Sequence, residues 1–198
     1  MSKSRMRMLA MIAVTTIGGS LLASAASRVA TKDISAVIND GKFEGNRYLN
    51  SYFGLEFTAE GGHAKAGNVV NIPGRRAQLV DAVSDSGEPD ESYSFAILAD
   101  NLENYPQLIT PAQYLRSVRH ALEKEGLWTI REEFPVEISG KHFIGAIMGV
   151  KGEQVPYFRG MYSTFLHGYI LSFDLTARKQ EVIERKVSTL VRFHSLPD

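Results

Sequence analysis

Residues Trp128 to Leu175 read WTIREEFPVEISGKHFIGAIMGVKGEQVPYFRGMYSTFLHGYILSFDL, and this stretch decides the fold. It divides into four segments, Trp128 to Ile138, His142 to Val150, Val155 to Phe165 and Tyr169 to Leu175, all rich in β-branched and aromatic residues. Ser139-Gly140-Lys141, Lys151-Gly152-Glu153 and His167-Gly168 separate them, so the pattern predicts consecutive antiparallel strands joined by hairpins. In the last segment Tyr169, Leu171, Phe173 and Leu175 share one face while Ile170, Ser172 and Asp174 share the other. That strand is half-buried.

Further strands lie upstream. Ser92 to Ala99 places Tyr93, Phe95, Ile97 and Ala99 opposite Ser94, Ala96 and Leu98, and Gln78 to Val83 alternates through Leu79, Asp81 and Val83. The acidic segment Ser84 to Glu91 joins these two as a hairpin loop. Leu55 to Thr58 is a short strand, and Phe43 to Tyr48 a short hairpin with Gly45-Asn46 at its tip. Between Ala59 and Gly74 the chain is rich in glycine and poor in apolar residues, which predicts a long loop.

Two helices complete the pattern. Thr110 caps the first, Pro111 occupies its opening position and Gly126 ends it, with Leu115, Val118 and Leu122 as a stripe joined by Tyr114 and Ala121. The second spans Ala177 to Arg192, its inner stripe Ile183, Val187, Leu190 and Val191 opposed by Arg178, Lys179, Glu181, Glu184 and Arg185. Amphipathic helices beside hairpin-linked strands give an α+β domain, an antiparallel sheet flanked by helices.

The start of the chain bears on where this domain works. Lys3, Arg5 and Arg7 precede an apolar run from Met8 to Ala23, which closes on Ala23-Ser24-Ala25. This is the form of a signal peptide over residues 1–25, followed by a lead-in over 26–42 and one domain over 43–198. An uncleaved anchor is the competing reading, because roughly 18 apolar residues span a bilayer. The glycine and threonine breaks and the small residues at the end favour cleavage, and a periplasmic or secreted protein with no stable membrane span. With no cysteine, the chain has neither a lipid-anchor site nor a disulfide.

Once Lys3, Arg5 and Arg7 leave with the leader, 19 basic residues face 22 acidic ones, so no basic field exists to attract nucleic acid. The five histidines, at 63, 120, 142, 167 and 194, lack local metal-ligand spacing. The acidic loop Asp81, Asp85, Glu88, Asp90 and Glu91 lacks the ordered spacing of a calcium loop and reads as a solvated tip. Glu132, Glu133 and Glu137 read as exposed charge, because adjacent strand carboxylates point to opposite faces. No nucleophile elbow or phosphate loop occurs, and no cofactor, metal or catalytic residue is expected. Gly145-Ala146-Ile147-Met148-Gly149 reads as a strand passing close under a helix.

One row of residues suggests a binding surface. Tyr157, Arg159 and Met161 share a face opposite Phe158, Gly160 and Tyr162, and if a helix covers only one face the other suits a protein partner. The expected function is therefore an exported, non-enzymatic binding or accessory protein of the envelope or secreted fraction. The alternative is a small-ligand carrier or enzyme with a site near residues 59–74, drawing on His63, Asn68 or Arg75.

Tyr48-Leu49-Asn50-Ser51-Tyr52-Phe53-Gly54-Leu55-Glu56-Phe57 resembles the opening of PsbP-like and DcrB-like domains. Gly168-Tyr169-Ile170-Leu171-Ser172-Phe173 and Leu190-Val191-Arg192-Phe193 resemble the last strand and closing helix of that family. After the opening strand the family commonly carries a proline and then glycine-tryptophan, where this chain has Thr58-Ala59-Glu60-Gly61-Gly62-His63. The resemblance implies an α/β/α sandwich and non-enzymatic binding to a larger partner.

Overall fold

The computed structural model describes residues 37, 40–66, 76–85, 87–150 and 156–194. The expected leader, most of the expected lead-in and the expected turn at Lys151-Gly152-Glu153 lie outside these residues. The chain opens with β1 (Gly41–Glu44), β2 (Arg47–Asn50), β3 (Leu55–Thr58), β4 (His63–Ala66), β5 (Arg76–Ser84) and β6 (Tyr93–Asn101). A 3-10 turn at Leu102–Asn104 leads to helix α1 (Pro111–Lys124). Then come β7 (Trp128–Ile138), β8 (Lys141–Val150), β9 (Tyr157–Leu166), β10 (Tyr169–Ala177), helix α2 (Gln180–Leu190) and β11 (Val191–Phe193). The fold is α+β, built mainly of antiparallel sheet.

Local chemistry explains the turns. Ser139 and Gly140 have φ of 49° and 77°, and His167 and Gly168 have 51° and 80°. Two successive positive φ angles twist a hairpin in the same sense as its strands, so β7–β8 and β9–β10 close on two residues each. Helix α1 starts with a reciprocal cap: Gln113 N donates to Thr110 Oγ1 at 3.3 Å and Thr110 N donates to Gln113 Oε1 at 3.1 Å. Gly126, at φ 95°, ends it, and Leu127 N donates back to Leu122 O at 3.1 Å.

The expected single sheet is two. A seven-stranded sheet runs β4-β5-β6-β10-β9-β8-β7, and a four-stranded sheet runs β1-β2-β3-β11. Two sequence expectations change with it. Helix α2 ends at Leu190, and Val191 begins a strand opposite Phe57, because the free edge of β3 pairs Val191-Arg192-Phe193. Part of the expected loop after Ala59 is strand β4, which places His63 opposite Val83.

Alternation then divides the core. Helix α1 packs on β7, β8 and β9, where Tyr114, Leu115 and Leu122 meet Ala146, Met148, Met161 and Ile170. The other face carries Phe95, Phe143 and Phe173, buried against the four-stranded sheet together with Val182, Ile183, Val187 and Leu190 of α2. At Gly160 a Cβ would lie 2.3 Å from Ile183 Cγ2, so the missing side chain lets α2 settle onto the sheet. Gly145 and Gly149 lie against the rings of Phe134 and Tyr162 and of Trp128, while Ala146 and Met148 between them pass under α1, as expected of this strand.

Candidate functional site

On the α1 side of the large sheet, the register aligns Asp81, Ala96 and Asp174 in one row and Val83, Ser94, Thr176 and Arg159 in the next. Ser94, Leu98, Thr176 and Val83 are half-buried, while Ala96 and Ser172 are buried. Helix α1 stands over β7 to β9, and the 3-10 turn with Leu102, Tyr105 and Leu108 packs at the Ile170 end of β10, so the main described cover of this face lies at those two places. The result is a shelf floored by Val83, Ser94, Leu98 and Thr176, with α1 as its wall.

Arg159 and Asp174 border the shelf. Arg159 Nε donates to Asp174 Oδ1 at 2.9 Å, and the two side chains keep 22% and 20% of their surface exposed. The Asp174 charge raises the Arg159 pKa further above its ordinary value. Arg178, expected on the outer face of the second helix, lies before α2 begins, with its guanidinium 6.0 Å from the Tyr157 ring centre. Tyr157 and Arg159 therefore sit together at the shelf. Met161, the third member of the expected row, is buried beneath α1, because the row runs inward under the helix.

The far end of the same face is closed by a buried polar cluster. Arg76 donates from Nε and Nη2 to the two Asp100 oxygens at 2.7 and 2.8 Å, and Tyr114 OH donates to Asp100 Oδ2 at 2.9 Å. Asp100 is fully buried, and burial, reinforced by the Asp100 charge, pushes the Tyr114 phenol well above its ordinary range. This cluster fixes α1 to β5 and β6. Sequence reading missed it because Arg76 and Asp100 become neighbours only through strand register.

A second cluster holds α1 to β7. Arg119, buried in the helix, donates to Glu133 at 2.9 Å and to Glu123 at 2.8 Å. Glu133 was expected as exposed charge, but register shifts between Thr129 and Phe134 break the alternation and turn it toward α1. Burial opposes its ionisation, yet the hydrogen bond and charge of Arg119 outweigh that effect and hold its carboxyl below the ordinary range. The acidic loop is likewise engaged, with Asp90 on Lys179 at 2.8 Å, Asp81 on Lys65 at 3.1 Å, and Glu91 on Arg185.

Glu56 ties β3 to β2 and to His194 after β11. Arg47 donates to it at 2.9 and 2.7 Å, and His194 Nε2 lies 2.8 Å from it. The Arg47 hydrogen bond foremost, with His194 adding to it, brings the Glu56 pKa from 4.5 to about 2. A carboxyl lowered on folding stabilises the protein fully above its unfolded pKa and loses that contribution as pH falls through the folded one. The stability difference between the parent and Glu56→Gln is expected to stay level above about pH 5 and to shrink toward about pH 2, as urea midpoints across that range would show. A difference that grows on acidification would overturn this.

The glycine-rich turn borders an open concavity of about 350 Å³ lined by Phe43, Gly45, Asn46, Ala59, Gly61, Gly62, His63 and Ala64. His63 is exposed there, while Asn68 and Arg75 lie outside the described residues. Among the described residues no group of three or more His, Asp or Glu side chains is placed to hold a metal ion. Nor is any described helix long and apolar enough to cross a membrane.

The fold, a two-sheet core with the layer of α1 and the closing β11, is PsbP-like. The fold is similar to that of the cyanobacterial PsbP of Synechocystis sp. PCC 6803, with a TM-score of 0.53 at 14% identity over 75% of this chain and 91% of that one. LpqN, involved in cell envelope biogenesis of Mycobacterium tuberculosis, overlays more loosely, with a TM-score of 0.40 at 10% identity over 84% of this chain and 100% of that one. No family model and no curated protein matches the sequence.

Proposed function

We propose that this chain is an exported, non-enzymatic accessory domain of the cell envelope or secreted fraction that binds a protein partner through the shelf beside α1. The observation that carries this reading is the shelf itself: on that face of the seven-stranded sheet the described cover is α1 and the segment Leu102 to Leu108, and Tyr157, Arg159 and Arg178 gather at its border. Aromatic and arginine side chains around small ones are the composition of a contact surface. The form of residues 1–25 supports export.

Expressed at full length in a bacterium, the chain is expected to lose residues 1–25 and to be recovered outside the cytoplasm, as N-terminal sequencing would establish. Gentle extraction from its native envelope is expected to retain a stoichiometric partner that Arg159→Glu releases. Retention of the leader in the membrane fraction would make it a tethered domain. A protein that stays alone while turning over a defined substrate would overturn the reading.

A second reading rests on the concavity at the glycine-rich turn, where His63 is a titratable group beside Asn46. A small ligand held there would lose affinity in His63→Ala while the shelf variant kept it.

A further inference from the structure

We draw no further inference here: the strongest candidate, the exposed patch of Trp128, Ile130 and Arg131 on β7, the edge strand of the seven-stranded sheet, carries nothing because nothing among the described residues shows what covers it.

Discussion

Asp100→Ala is expected to lower the free energy of unfolding by about 3–5 kcal/mol. Asp100 is fully buried and receives both nitrogens of an Arg76 fork together with the Tyr114 hydroxyl. Removing it takes the carboxylate from both the Arg76 guanidinium and the Tyr114 phenol, leaving Arg76 Nη2 the Tyr114 oxygen at 3.1 Å, and loss of one partner from a buried pair costs more than loss of both. The Arg76 side chain keeps 22% of its surface exposed and can recover some hydration, so the lower part of that range is the expected one. Tyr114→Phe removes a neutral hydroxyl that donates to Asp100 and accepts from Arg76 Nη2, and should cost about 1–2 kcal/mol. The double variant Arg76→Met with Asp100→Leu should regain much of the loss, because the charge and its desolvation leave together. Urea unfolding of the four proteins measures this. A parent-like midpoint for Asp100→Ala would show that the cluster does not hold α1 to the sheet.

Leu122→Ala and Leu190→Ala are each expected to cost about 2–5 kcal/mol, whereas Glu184→Ala on the exposed face of α2 should stay within about 0.5 kcal/mol. Leu122 is buried beneath α1 with Met148 and Met161, and Leu190 lies in the core on the opposite side of the sheet. The two sites share no cluster, so the double variant should equal the sum of the singles within about 0.5 kcal/mol. A larger coupling in a double-mutant cycle would mean that the helices do not lie on separate faces.

Much of the architecture was legible because it rests on local rules. The cap at Thr110, the stop at Gly126 and the two-residue turns at Ser139-Gly140 and His167-Gly168 depend on a few neighbouring residues. Arg119 shows where those rules end. It stands four residues after Leu115 and three before Leu122, on the buried stripe, yet a charged residue reads as exposed until Glu133 is brought to it across 14 positions. Val191 likewise continued the helical stripe, and only the nearby edge of β3 made it a strand.

For the candidate site the sequence put Tyr157 and Arg159 on one face, since alternation along a strand is a local property. It did not show that Met161 in the same row is covered, or that Arg178 and Asp81 belong to that face. The sequence by itself determined most of the strand and helix segments, the two-residue turns at Ser139-Gly140 and His167-Gly168 and the amphipathic faces, all set by backbone geometry and side-chain period over a few residues. Tertiary structure alone decided the split into two sheets, the burial of Asp100 and Arg119 and the open shelf beside α1, because these depend on which distant strands pair and in what register.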